Sequence, residues 1–240
     1  MSLALVAIVL AICAGAVIAV SSRDSGAAAI GLAIALVGAA VLVEPLPSAA
    51  ILGVRIVAAL LVATIIRSAL RGGSRQPSPL GWPAEALLAT GAAIAGLGLA
   101  VGLASLAAAG GVPIGEPSPP VPDGPGVPGT LVITGMALTV AAGTALLAVG
   151  IPPLVYGRPG ARRAIGLVLV TQAVLLIRIG IAGPAVELEE IARAALLVVS
   201  AASGAALASA AARDATGPGD DAIDAPSDAP TDSRRAAAAR

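Results

Sequence analysis

Seven apolar stretches follow one another along the chain, separated by short segments rich in proline, glycine and charged residues. A helix needs roughly 20 apolar residues at a rise of 1.5 Å to cross the hydrocarbon core of a bilayer. The pattern therefore predicts about seven transmembrane helices. We expect them at roughly 3–20, 26–43, 49–70, 83–109, 130–151, 164–183 and 191–213.

Prolines mark several of the predicted helix ends. Pro45 and Pro47 follow the second apolar stretch, and Pro83 stands at the start of the fourth, where proline is favoured in a first turn. Pro152 and Pro153 follow the fifth stretch. Because proline has no N–H to donate, we expect this pair to end helix five.

A Pro/Gly-rich segment divides the chain into two membrane parts. Its composition favours extended or irregular backbone, whereas the C-terminal tail is acidic, rich in proline and poor in large apolar residues, as disordered segments are. The predicted organisation is a four-helix N-terminal half (1–109), an extracytoplasmic loop (110–129), a three-helix half (130–213) and a disordered cytoplasmic tail (214–240).

The fourth predicted helix contains small residues at helical spacing. Gly98 and Gly102 form a GxxxG pair, and Gly91 and Ala95 repeat that spacing earlier in the helix. Small residues let helix backbones approach closely in lipid. We therefore expect this helix to pack inside the bundle.

Composition fixes the broad class of the protein. Hydrophobic residues make up 58% of the chain and charged residues 12%, and the mean hydropathy is +0.98. A soluble domain needs more polar surface than this. We predict an all-α, polytopic transmembrane helix bundle that crosses the cell membrane several times. The formal net charge of +0 gives no indication of nucleic acid as a partner.

Arginines and acidic residues alternate between successive connections. The basic connections contain Arg23, Arg67 to Arg75 and Arg158 to Arg163, whereas acidic residues occupy the others. Under the positive-inside rule, this alternation predicts an extracytoplasmic N-terminus and a cytoplasmic C-terminus.

Charged residues inside predicted helices are the candidates for function. A mid-helix arginine costs about 2.5 to 3.5 kcal/mol on insertion scales, so it needs a partner. We expect Arg193 to pair with Glu189 or Glu190, and Arg178 to reach the same carboxylates across the hairpin of helices six and seven. The candidate residues for an ion path or a buried ion pair are Arg55, Thr171, Arg178, Glu189, Glu190 and Arg193.

Three interpretations of these charges stay open. The pairs can fix helix packing or contact a partner subunit, they can form part of an ion or proton path, or the arginines can extend to the membrane interface. The sequence has no HExxH, GxSxG or metal-ligand motif. We therefore expect no catalytic, metal or cofactor site, and we interpret the single Cys13 as a small core residue.

The C-terminal half also resembles a known family. The segments RPGARRAIGLVLVTQAVLLI and AVELEEIARAALLVVSAASGAALASAAAR, together with helix five, resemble the three-helix small subunit of complex I and of multisubunit cation/proton antiporters. With its additional N-terminal helices, the whole chain resembles component E of the energy-converting (group 4) hydrogenases. In that family a basic turn opens the middle helix, as Arg158 to Arg163 does here.

The resemblance implies a non-catalytic, accessory membrane subunit of a complex-I-like or hydrogenase-like assembly that translocates protons or sodium ions. Its partners would be other membrane subunits of that assembly and the lipid bilayer. In the family, a membrane-embedded glutamate follows the glycine that Gly166 matches; here Thr171 and Gln172 stand in that place. The carboxylates left near the membrane are Glu189 and Glu190, with Glu85 at a helix entrance. The alternative function is a self-contained small transporter or channel.

Overall fold

The computed structural model describes residues 3–42, 48–71, 82–109, 135–156, 160–183 and 186–215, and all regular structure in these ranges is α-helical. The helices confirm the predicted polytopic all-α bundle. They are α1 (Leu3–Ser21), α2 (Ser25–Val41), α3 (Ala49–Arg71), α4 (Trp82–Ala109), α5 (Gly135–Tyr156), α6 (Gly160–Ala182) and α7 (Glu187–Ala215). The predicted loop at 110–129 and the tail from 216 onwards lie outside the described residues.

Five of these helices are long and apolar enough to cross a membrane. They are α1, α3 and α5, together with the 162–182 part of α6 and the 187–213 part of α7. The apolar stretches of α2 and α4, at Ser25–Val41 and Ala86–Leu99, are shorter. The described part of the chain therefore has the composition of a multi-pass membrane protein, with five clear candidate spans among its helices.

The prediction that Pro152 and Pro153 end helix five is wrong. Both prolines lie inside α5, which continues to Tyr156. Membrane helices tolerate proline where a neighbouring helix packs against the affected turn. Gly166 of α6 supplies that contact, since a Cβ there would lie 2.8 Å from the carbonyl oxygen of Gly150 and 2.9 Å from the nitrogen of Leu154.

The start of α7 also differs from the sequence-based boundary. We expected an acidic connection before a helix at 191, but Glu187, Glu189 and Glu190 form the first turn of α7. Negative charge is favourable there because the helix dipole and the unpaired N–H groups of a first turn attract it. The acidic residues therefore belong to the helix, and the helix determines the side on which each of them lies.

Two helix ends are defined by residues that suit them. The Oδ2 of Asp24 accepts a 2.9 Å hydrogen bond from the backbone nitrogen of Ala27 and caps the start of α2. After α6, Gly183 adopts a positive φ of 81° and donates to the carbonyl of Ile179. Glycine is favoured in this left-handed conformation, which ends α6 before the turn to α7.

Glycines also let neighbouring helices approach closely. A Cβ at Gly15 would lie 2.7 Å from the carbonyl oxygen of Gly31, across the contact of α1 with α2. Between α6 and α7, a Cβ at Gly160 would lie 2.7 Å from the Cα of Ala208. Backbone-to-backbone contact of this kind supplies van der Waals attraction in lipid, where the hydrophobic effect does not hold helices together.

Helices from the two predicted halves pack together in one bundle. From the N-terminal part, α1 contacts α5 and α3 contacts α7, while α6 packs between α5 and α7. The fully buried side chains come from both parts of the chain and include Ile12, Leu32, Val62, Leu146, Leu169 and Leu176. The contact of α3 with α7 is the one that positions the charged residues.

α4 packs against α5 and α1, but not through the glycines of its GxxxG pair. Gly98 is exposed, and a Cβ added there would meet no atom within 4 Å. The inward face of α4 instead contains Ala89, Ala93 and Gly96, and Gly96 packs directly on α5. In an Ala/Gly-rich helix, small residues occupy every face, so the GxxxG spacing does not identify the packed one.

Candidate functional site

Glu190 is the centre of an ion network that lies between α3, α6 and α7. Its side chain is only 5% exposed. The Oε2 atom accepts a hydrogen bond from Nε of Arg55 at 2.8 Å and forms an ion pair with Nη2 of Arg55 at 2.7 Å. The Oε1 atom accepts from Nη1 of Arg193 at 2.9 Å. Both oxygens of this carboxylate are therefore bound by guanidinium groups.

Arg55 extends the network to α2. Its Nη1 donates to the backbone carbonyl oxygen of Ala40 at 3.2 Å. That carbonyl lies in the last turn of α2, where helix carbonyls have no partner within the helix and carry partial negative charge. All three nitrogens of Arg55 are thus engaged, and one side chain joins α2, α3 and α7.

Glu189 connects the buried part of the network to its exposed edge. Its Oε1 accepts from Nη2 of Arg193 at 2.8 Å and lies 2.5 Å from Nη2 of Arg178, which comes from α6. The side chain of Arg178 is 43% exposed, against 8% for Arg193. The link to α6 is therefore the exposed end of the network, and Arg193 is its buried bridge.

The network lies towards one end of the bundle. Arg55 is near the start of α3, Glu189 and Glu190 are in the first turn of α7, and Arg178 is near the end of α6. Its three guanidinium groups and two carboxylates carry a formal net charge of +1. Unpaired charge at such a site would cost several kcal/mol per ion in a low-dielectric medium, so the pairing is needed for the helices to pack.

Sequence reasoning did not select Gln172, although it noted its position. Gln172 is buried, and its Oε1 accepts no hydrogen bond from the protein. Its periodicity gave the available signal, because it lies at helical spacing with the buried residues of α6, which are Ile165, Leu169, Leu176 and Ile179. The neighbouring Thr171 is out of this phase. Its hydroxyl donates to the carbonyl of Leu167 in the same helix, outside the ion network.

A small pocket links Gln172 to the ion network. It has a volume of about 50 Å³ and is lined by residues of α2, α3, α6 and α7, including Arg55, Gln172, Glu190 and Arg193. Its other walls are alanine and branched apolar side chains. This is the place in the described structure where a cavity, an unpaired polar atom and buried charges coincide.

The chemistry of the site is that of a paired charge cluster. Both carboxylates are engaged by arginine, and arginine does not release its proton in proteins. No group of three or more potential metal ligands lies together in the described ranges. The side chain of Glu85 is outside the described residues, and the thiol of Cys13 is buried in α1. The geometry offers charge pairing and hydrogen bonding.

These features define the class of the protein: a polytopic helical membrane protein whose helices are joined by a buried ion network. Comparisons of the chain with protein-family models, with curated proteins and with solved structures find no match. The fold and the site are therefore the basis for any functional proposal.

Proposed function

We propose that the chain is an accessory integral membrane subunit of a complex-I-like or hydrogenase-like assembly that translocates ions across the cell membrane. In this proposal it supplies packed helices and part of a proton or sodium path, while other subunits carry the redox chemistry. The observation that carries the proposal is the paired state of the Glu189 and Glu190 carboxylates.

A carboxylate that relays protons has to exchange between charged and neutral forms. Protonation of Glu190 would leave Arg55 and Arg193 with a neutral partner in a buried site, which is unfavourable for both guanidinium groups. Glu190 is therefore suited to holding α3 and α7 together rather than to repeated proton transfer. This supports a scaffolding role inside a larger machine over independent pumping.

The chemistry of the network also bears on which ion the path would take. A sodium or other hard cation needs several oxygen ligands, but both oxygens of Glu190 already accept hydrogen bonds from arginine. The cluster's formal charge of +1 repels a further cation. Within the proposal, a sodium ion would therefore have to pass outside this cluster.

The test is a pull-down of the tagged chain from its native membrane in mild detergent, followed by mass spectrometry. The proposal predicts co-purification of large antiporter-like membrane subunits and of hydrogenase-like or quinone-reductase-like subunits. Recovery of the chain alone as a monomer would contradict it.

A liposome assay separates this proposal from the self-contained transporter. Vesicles that contain only the purified chain should show no proton or sodium flux above protein-free vesicles. Flux that is abolished by Glu190→Gln and preserved by Glu187→Gln would favour the transporter, because the two variants remove the same charge from one helical turn and only Glu190 is buried.

A further inference from the structure

The amide of Gln172 has an unmet hydrogen-bonding requirement. Its side chain is 7% exposed, and Oε1 is the one buried side-chain oxygen or nitrogen without a partner among the described residues. Buried polar atoms in native proteins almost always have a protein or water partner, because leaving one unpaired costs free energy. Something that can donate a hydrogen bond is therefore expected beside Gln172.

The pocket described above provides the space. A water molecule needs about 10 to 15 Å³ of cavity volume, and the pocket of about 50 Å³ holds a few such molecules. Gln172 lies roughly 15 Å along α6 from its end at Ala182, at 1.5 Å per residue. The pocket therefore brings polar surface from the charged end of the bundle well into the apolar part.

The charged side chains around the pocket argue against an ionic occupant. A cation would find Gln172 Oε1 but no free carboxylate oxygen on Glu190, and it would meet two guanidinium groups. An anion would have to share the N–H donors that Arg55 and Arg193 leave over with the Glu190 carboxylate, which lines the same pocket and repels it. The site thus fits a small neutral molecule.

We propose that this pocket is a hydration site, in which a few water molecules join the amide of Gln172 to the Arg55–Glu190–Arg193 cluster. Water donates to Gln172 Oε1 and would serve equally well if the amide were turned to present its NH₂ group, because water also accepts. It also accepts from guanidinium N–H groups that the ion pairs leave over: Arg193 uses two of its N–H donors on Glu189 and Glu190, and a guanidinium has five.

Water in the pocket also accounts for charge at this depth. Local hydration lowers the cost of holding arginine within a membrane, so the hydrated pocket and the ion network stabilise each other. This inference concerns the chain's own interior and does not depend on which assembly, if any, the chain joins. A pull-down without partners would leave it intact.

The test uses the fact that Gln76 and Gln172 are the only glutamines in the sequence. The full-length chain is labelled with ¹⁵N-glutamine, reconstituted in phosphatidylcholine bilayers and studied by water-edited solid-state NMR. Gln76→Ala assigns the two side-chain amide signals. The reference is an additional amide introduced by Val174→Gln, on the exposed face of α6 two residues away.

The proposal predicts that magnetisation passes from water to the Gln172 amide several-fold faster than to the amide introduced at position 174. It also predicts no shift of the Gln172 signal when sodium chloride is replaced by choline gluconate. Transfer as slow as at the reference would show that the pocket is dry and would overturn the proposal. A shift that depends on sodium or chloride would overturn it as well, because an ion would then occupy the site.

Discussion

At the residue scale, the behaviour of the site depends on the contrast between neighbouring glutamates in one helical turn. Glu187 is exposed at the first position of α7, whereas Glu190 is buried and bound by two arginines. Two glutamates in one helical turn are therefore expected to contribute very differently to the stability of the bundle. Removing charge at the buried position should cost far more than at the exposed one.

We expect Glu190→Gln to destabilise the bundle by about 3 to 5 kcal/mol, the usual cost of leaving a buried charge without its partner. Arg55 and Arg193 would both face a neutral amide. Titration with a denaturing detergent, followed by circular dichroism, measures the effect, and Glu187→Gln should unfold close to the wild type. Equal stability of the two variants would show that burial does not govern the network.

Residue identity alone could not have selected Gln172 over Thr171. Both are neutral polar residues in an apolar helix, and either can hydrogen-bond. They differ in position on α6: Gln172 lies on the side that faces α2, α3 and α7, and contacts between residues distant in the sequence determine which side that is. By contrast, the i,i+3 and i,i+4 spacings of Glu190 and Glu189 to Arg193 could be read from the sequence, because they are local.

The long-range partner of Glu190 was not foreseeable in the same way. Arg55 and Glu190 are separated by 135 positions in the sequence. Insertion cost indicates that a membrane arginine needs a partner, but it does not say which helix supplies it. Only the contact of α3 with α7 determines that choice.

At the element scale, the length of each apolar stretch predicted a helix at that place. The residue types at the ends of the stretches did not always predict where the helix ends. Pro152 and Pro153 do not end α5, because α6 approaches closely at Gly166 and the membrane setting tolerates proline in the last turns. In α4, the GxxxG spacing does not identify the packed face, which contains Ala89, Ala93 and Gly96. In both helices the contacts with neighbouring helices decide the outcome, and intrinsic propensity does not reveal them.

The close approach of α5 and α6 leads us to expect that a larger residue at Gly166 lowers the stability of the protein. Gly166→Ala places a methyl group against backbone atoms of Gly150 and Leu154, and overpacking of this kind costs about 1 to 3 kcal/mol. The control is Gly53→Ala in α3, where a Cβ meets no atom within 4 Å. That change should be neutral or raise stability by roughly 0.5 to 1 kcal/mol through helix propensity.

Thermal unfolding in a mild detergent compares the two alanine variants under identical conditions. The account expects a lower midpoint for Gly166→Ala alone. If both variants shift by the same amount in the same direction, helix propensity would explain the result and the close α5–α6 contact would have no energetic weight.

At the scale of the whole molecule, the charge distribution predicts the orientation in the membrane. The arginine-rich connections after α3 and before α6 should be cytoplasmic, as should the C-terminus, with the N-terminus on the other side. This orientation would place the ion network at the extracytoplasmic end of the bundle, since α3 and α7 both start there.

Reporter fusions test the orientation. A fluorescent protein that folds only in the cytoplasm should be bright after Arg71 and after Arg213, whereas a phosphatase that is active only outside should work after Ala182. The reverse pattern at all three sites would place the network at the cytoplasmic end and would contradict the positive-inside assignment.

The most direct test of the central claim, that a buried ion pair holds α3 against α7, is a double-mutant cycle on Arg55 and Glu190. The free energy of unfolding is measured for the wild type, Arg55→Met, Glu190→Gln and the double variant in the same detergent titration. The account predicts that the double variant loses less stability than the sum of the single variants, with a coupling of roughly 1 to 3 kcal/mol. Strictly additive losses would show that the two side chains do not stabilise each other, and the ion network would then not be what joins these helices.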